Sequence, residues 1–409
     1  MSTPLFTSLS PNVERDDVLH ALGLLLKPWR WRNTQSTKKL EDVWKAFHNM
    51  PYAVAFSSGR NCLFEILNFV HLHPEDEVLL QAYTCVAVPN PILWTGATPI
   101  YVDCDRETLT LSPVDLRRKI TRRSKVLIIQ HTFGQPAALD ELLEIAREHN
   151  LFVIEDCAHA LGARYKGELV GTRGDASFFS LGRDKVLSSV FGGIALTKRE
   201  DLGLFLQQAQ QRTTAPPRLW VLQQLLQPIL TSLAKTFYGV GLGKALLGFS
   251  KKVGLLSPPV ETIERQGGKP HFLSYAFAGA LAELALYQFR KLGRFNTHRT
   301  QRALQYRQAL EGSFSTQVPL PDTNPTFLRY VLRASNVERI MNDAKREHVF
   351  LGDWYTTPIA PAQVNLQSIQ YTECPNAEAV ARQTINLPTD IHISEQDAER
   401  LITFLKRYV

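Results

Sequence analysis

Through the first half of the chain, short apolar runs alternate with longer stretches whose apolar residues recur every three or four positions. Val78–Gln81, Thr98–Val102, Val126–Gln130, Phe152–Glu155 and Ser177–Leu181 read as strands. Between them, Leu63–Val70, Val114–Ile120 and Leu139–His149 carry the spacing of helices that rest one face on a sheet. This alternation predicts an α/β fold, with a largely parallel sheet covered by helices on both faces. After about Pro270 the pattern changes: Ala276–Phe295 and Arg299–Leu310 read as long helices, short strands follow, and Ser394–Tyr408 reads as a terminal helix. The change divides the chain into an N-terminal segment, 1–45, a large domain, 46–265, and a smaller C-terminal α/β domain, 266–409. No tandem repeat interrupts this plan.

Composition adds constraints. With 409 residues and 44% hydrophobic positions, the chain has enough apolar material for a sizeable core. The five cysteines, Cys62, Cys85, Cys104, Cys157 and Cys374, are odd in number and scattered, with no CxxC pair. That spacing argues against a disulfide framework and against a metal site of the zinc type, and it fits a reducing cytoplasm. The N-terminal stretch has no basic region followed by an apolar core, so no secretory signal is expected.

The formal charge of +7 is concentrated in one place. From Leu202 to Val260 there is no Asp or Glu, while Arg212, Arg218, Lys235, Lys244, Lys251 and Lys252 contribute six positive charges. Leu222, Leu226, Ile229, Leu233 and Phe237 fall on one side of a helix in the same region. Gln223, Gln224, Gln227 and Lys235 interrupt it too often for a membrane-spanning helix, which needs about 20 predominantly apolar residues. The segment reads as a basic amphipathic insert with three possible uses. It touches an anionic membrane surface, peripheral at the inner face; it covers an anionic substrate; or it packs on the body or a dimer partner. Nucleic acid is not an expected partner, because the basic residues lack an aromatic stacking platform or a known motif.

The candidate chemistry lies between Val153 and Gly193. Asp156 follows an apolar strand, at the carboxyl end where ligands of α/β sheets gather. Lys185 follows the next strand and sits among Ser180, Gly182, Ser188, Ser189, Gly192 and Gly193, small residues that allow close approach to the backbone. A lysine amine and a carboxylate are the two groups that pyridoxal phosphate needs from a protein: one to hold its aldehyde, the other to keep its pyridine nitrogen protonated. Ser57–Leu67 supplies a Ser/Gly turn before an apolar helix, an arrangement that binds anions through free backbone amides.

At these residues the chain resembles the DegT/StrS-type sugar-nucleotide aminotransferases. The resemblance rests on PEDEV (Pro74–Val78), GATPIYVD (Gly96–Asp103), HTFGQPA (His131–Ala137), VIEDCAHALGARYKG (Val153–Gly167) and GDASFFSLGRDK (Gly174–Lys185), and resumes at CPNAEAVARQTINLPT (Cys374–Thr389). It implies the type I pyridoxal phosphate-dependent transferase fold and a homodimer. It also implies transfer of an amino group, usually from glutamate, to a keto sugar on a nucleoside diphosphate. Lys185 and Asp156 take the catalytic positions, and Gly59 and Ser180 match phosphate-binding positions. Retention of Lys185 argues against the relatives that carry His there and remove a hydroxyl. Arg60 replaces the family's Thr, and either contacts phosphate or points to solvent. Cys85 stands where an aromatic residue usually covers the cofactor ring, so either Cys85 or Tyr83 covers it. His159 replaces a Gln near the cofactor's phenolic oxygen, where it can donate a hydrogen bond and respond to pH. Ser274 aligns with an Asn that reaches the partner subunit's cofactor. These departures leave a second reading open, a relative that keeps the fold but acts by binding, and a third, another type I reaction.

Overall fold

The computed structural model describes residues 4–409. Its central sheet is built from β1 (Tyr52–Phe56), β2 (Glu77–Gln81), β3 (Thr98–Val102), β4 (Ser124–Gln130), β5 (Phe152–Asp156), β6 (Ala176–Ser180) and β7 (Gly193–Thr197). The strand order is β3-β2-β4-β5-β6-β7-β1, and only β7 runs antiparallel to its neighbours. Residues alternate between two cores, one on each face: Leu79, Leu127 and Ile129 enter one, and Val78, Leu80 and Ile128 the other. Burial on both faces explains why these strands read as continuous apolar runs.

The sequence pattern missed β1 and β7. Ala53, Ala55, Gly193 and Ala195 interrupt the apolar signal of both strands, yet both are buried, β7 within the sheet and β1 at its edge, because neighbouring elements approach closely. A Cβ on Gly203 would stand 2.3 Å from the Tyr52 ring, and one on Gly193 would stand 2.5 Å from the Gly59 nitrogen.

The helices that position the site are α1 (Arg15–Leu25), α2 (Thr34–His48), α3 (Gly59–Phe69), α4 (Leu139–Glu148), α5 (Glu200–Gln211), α6 (Arg218–Thr236), α7 (Leu242–Lys252), α8 (Gly279–Phe289), α9 (Leu292–Leu310) and α10 (Glu395–Leu405). Helix α3 packs on β7 and β6, while α2 and α8 pack together. The expected helix Ala276–Phe295 breaks at Arg290–Lys291, and α9 begins at Leu292. Lys291 sits at that break because its amine is drawn to Asp16, at 2.7 Å, and Asp17, at 3.1 Å, on α1. Towards the C-terminus, β8 (Ser315–Thr316), β9 (Tyr330–Arg333) and β10 (Thr384–Leu387) form an antiparallel sheet over a third core with α9 and α10.

The basic insert forms α6 and α7. Helix α6 buries Val221, Gln224, Leu225, Gln227, Pro228, Thr231 and Ala234. Of the apolar stripe read from the sequence, Leu222 and Ile229 are half-buried against the main core, Leu226 is half-buried, and Leu233 and Phe237 are exposed. Pro228 leaves one helical acceptor without its usual amide, and the Thr231 hydroxyl donates to the Gln227 carbonyl at 2.7 Å. Among the described residues, no helix is long and apolar enough to cross a membrane.

Candidate active site

Strand ends and two loops surround a cavity of about 320 Å³. Asp156 closes β5, and the period of two along the strand gives it and Glu155 opposite surroundings. Glu155 faces the core, where it accepts from the amides of Gly171, Arg173 and Gly174 at 2.7–2.8 Å and from His131 Nε2 at 3.0 Å. His131 Nδ1 accepts from the Ala137 amide, so Nε2 carries the proton. Cys157 lies beside this pair. The Glu155 carboxylate is already filled by four donors, which makes the cluster a brace for the 171–174 turn. Asp156 lines the cavity, and its Oδ1 accepts from the Ala158 amide at 2.9 Å in a turn rather than as a helix cap. Burial raises its pKa to about 6, against the lowering effects of that amide and of the Lys185 charge.

Lys185 comes from the loop that joins β6 to β7. Its amine lies 4.9 Å from the centre of the Trp354 ring, with no carboxylate at ion-pairing distance among the described residues. Burial lowers its pKa to about 8, opposed by the nearby Cys85, Asp156 and Asp184. A free-amine fraction is therefore present near neutrality. The backbone just past the amine is pinned from distant parts of the chain. Asn12 donates to the carbonyls of Lys185 and Val186, the buried Arg299 donates to Asn12 and to Val186, and Gln288 joins the Ser188 amide to the Asn12 carbonyl.

At the other end of the cavity, Ser58 caps α3 by accepting from the Asn61 amide at 3.2 Å. A Cβ on Gly59 would lie 3.1 Å from Ser180 Cβ, so the helix start and the end of β6 touch. The leading residues of α3 and Ser180 thus share one wall of the cavity. Gly193 permits this approach, because a Cβ there would meet backbone atoms of Ser58 and Gly59. Gly193→Ala is expected to lower stability by about 1–3 kcal/mol through overpacking against backbone. Urea midpoints of the variant and parent measure it.

The Arg60 side chain does not point to solvent. Its guanidinium pairs with the buried Glu264 and donates to the Pro259 carbonyl at 2.8 Å, so it pins the 259–264 segment to the cavity wall. Arg183, which sequence reasoning passed over, also lines the cavity and donates to the Ser257 carbonyl and hydroxyl at 2.5 and 2.9 Å. Between the two readings of the ring cover, Cys85 lines the cavity and Tyr83 does not. The Tyr83 hydroxyl bonds to Thr384 at 2.7 Å.

His159 is buried, and its Nδ1 accepts from the Phe133 amide at 3.2 Å, which leaves the proton on Nε2. The expectation of a pH-dependent charge does not hold. Burial, with the Lys185 and Arg329 charges, keeps its pKa well below the usual histidine value, so the ring stays neutral. Trp354 stacks on His159 at 5.6 Å, and both Trp354 and Tyr355 line the cavity. Their loop reaches the site because Ile359–Ala360 pairs with Thr84–Cys85. The only sequence signal was an aromatic pair between Gly352 and Pro358. Ser274 is exposed and lies outside this chain's own cavity.

The chain has relatives of known name. GDP-perosamine synthase from Escherichia coli O157:H7 is 39% identical over 165 residues, 40% of this chain and 45% of that protein. UDP-N-acetyl-3-dehydro-alpha-D-glucosamine 3-aminotranferase from Acidithiobacillus ferrooxidans is 24% identical over 399 residues, 96% of this chain and 94% of that protein. The chain spans about half the length of the first curated relatives it matches. Among solved structures, Helicobacter pylori PseC, an aminotransferase involved in the biosynthesis of pseudoaminic acid, superposes with a TM-score of 0.76 at 17% identity, covering 100% of this chain and 99% of that one. S. venezuelae DesV superposes with a TM-score of 0.75 at 22% identity over 96% and 94%. These likenesses show the fold, and it is the expected type I pyridoxal phosphate-dependent transferase fold. The model of the DegT/DnrJ/EryC1/StrS aminotransferase family matches residues 13–211 and 274–406. The chain belongs to that family.

Proposed function

We propose that this protein is a pyridoxal phosphate-dependent aminotransferase whose acceptor is a nucleotide-linked keto sugar. The observation that carries the reading is one cavity that brings together the Lys185 amine, the Asp156 carboxylate and the anion-binding start of α3. The residues fit the cofactor. The cavity wall at Ser58, Gly59 and Ser180 suits its phosphate, Asp156 suits the ring nitrogen, and Lys185, free of any ion pair among the described residues, suits the aldehyde. When bound, pyridoxal phosphate supplies an aldehyde that accepts amines and a ring that withdraws electrons from the attached carbon.

The chain's own groups do the rest. Lys185 would hold the cofactor through its aldehyde, and its amine, once free, is the base that would move a proton. Asp156 would keep the ring nitrogen protonated. Ser180 and the amides of Gly59 and Arg60 would hold the phosphate. His159, through Nε2, and Cys85 would help hold the ring. Arg60 and Arg183 hold the 257–264 segment as one wall of the substrate space. Glutamate as donor and a homodimeric assembly follow from the family resemblance and belong to the same proposal. A cytoplasmic location fits the scattered free cysteines.

The test is a half-reaction. Protein loaded with pyridoxal phosphate is expected to lose its visible absorbance on addition of glutamate and to release one equivalent of the matching keto acid. If no amino donor produces that change, the protein is a binding relative or runs another reaction.

A further inference from the structure

The family match stops at residue 211 and resumes at 274, so α6 and α7 lie in a segment the family pattern does not account for. Helix α7 is built inside out. The residues it buries are Gly243 and Ser250, one of them a glycine and both small. A Cβ on Gly243 would stand 2.1 Å from the Ala234 carbonyl, so the helix backbone rests directly on the end of α6. Leu246 and Leu247 are half-buried, and the other large apolar residues face outward. Leu242 is 65% exposed and Phe249 61% exposed, and the flanking Val240 and Val253 are 70% and 50% exposed. Leu242, Phe249 and Val253 are separated by seven and four residues, the spacing of one helical face.

Ordinary packing puts such a face inside. The rest of the helix carries charge of one sign: Lys252 lies beside this face and Lys244 and Lys251 on the opposite side, all exposed, and no acid occurs between 202 and 260. Helix α1, which packs on α6, has its acids already engaged, since Asp16 and Asp17 pair with Lys291.

We propose that the outward face of α7 docks this protein on an anionic lipid bilayer. Leu242, Phe249 and Val253 enter the boundary between headgroups and acyl chains, and the three lysines meet anionic headgroups, the division of labour of an interfacial amphipathic helix. The helix lies on the membrane rather than across it. A second copy of this chain would also cover the apolar residues, but a self-complementary contact would bring the lysine clusters near one another with no acid from the insert to offset them.

Two measurements on the full-length protein decide the matter. The first is co-sedimentation with phosphatidylcholine vesicles and with vesicles that also contain phosphatidylglycerol. The protein is expected to pellet with the phosphatidylglycerol vesicles only, less so at high salt. Replacing Lys244, Lys251 and Lys252 together by Gln is expected to weaken partitioning about a hundredfold at low salt. Leu242→Ser combined with Phe249→Ser is expected to abolish it, with the thermal unfolding midpoint unchanged. The second measurement is the sedimentation-velocity mass of each variant, which is expected to equal that of the parent. No pelleting with phosphatidylglycerol vesicles, or equal pelleting with both kinds, would overturn the proposal. So would a fall in mass on Leu242→Ser with Phe249→Ser, which would make this face a contact between copies.

Discussion

Lys185→Ala is expected to lower the rate of the glutamate half-reaction by about four orders of magnitude and to prevent borohydride from fixing pyridoxal phosphate to the protein. The two losses have one cause, since the same amine holds the aldehyde and moves the proton. They separate when a small amine such as methylamine is supplied in solution. Added amine is expected to restore part of the proton transfer in the alanine variant, while the fixed label stays absent. Lys185→Arg is expected to gain nothing from the rescue, because a guanidinium stays protonated and fills the space. The lowered pKa of about 8 sets the pH dependence in the parent protein. Only the neutral amine attacks the aldehyde, so the rate at which free pyridoxal phosphate is captured should rise with pH and level off above about 8.

Asp156→Asn separates function from stability. An amide cannot hold the ring nitrogen in its protonated form, so kcat is expected to fall by about a thousandfold, the scale of losing one well-placed electrostatic partner. Stability moves the other way in protein stripped of cofactor. The carboxyl's folded pKa, about 6, lies above its ordinary value of 3.8, so its contribution to stability is complete below pH 3.8 and is lost as pH rises through 6. Above pH 6 the folded state carries a buried charge that asparagine avoids, and the variant is expected to be more stable by up to about 3 kcal/mol. The difference should vanish below about pH 4. Unfolding midpoints across that range, set beside single-turnover rates at neutral pH, measure both halves.

Much of the site was legible because its parts are local. Asp156 and Lys185 each follow an apolar strand, and the Ser57–Leu67 turn precedes an apolar helix. What stayed hidden depends on distance along the chain. Asn12, Gln288 and Arg299 pin the Lys185 loop by hydrogen bonds across 100 residues or more, which no periodicity records. Trp354 and Tyr355 arrive through a two-residue strand pairing, too short to leave a pattern. Arg60 looked free because its partner, Glu264, lies beyond the basic insert. The strands β1 and β7 escaped notice because close packing asked for alanine and glycine where hydrophobicity was the signal. In the insert, periodicity found an apolar stripe on α6 but could not say which side the body would cover. The body took the side with Gln224, Gln227 and Thr231.

The central claim is that the cavity at Lys185 is a pyridoxal phosphate site. Peptide mapping of the intact protein after incubation with pyridoxal phosphate and borohydride tests it most directly. A single pyridoxyl group on Lys185, displaced when glutamate is added before reduction, is the predicted result. Label spread over surface lysines, or label on Lys185 that glutamate and every other amino donor leave in place, would contradict it.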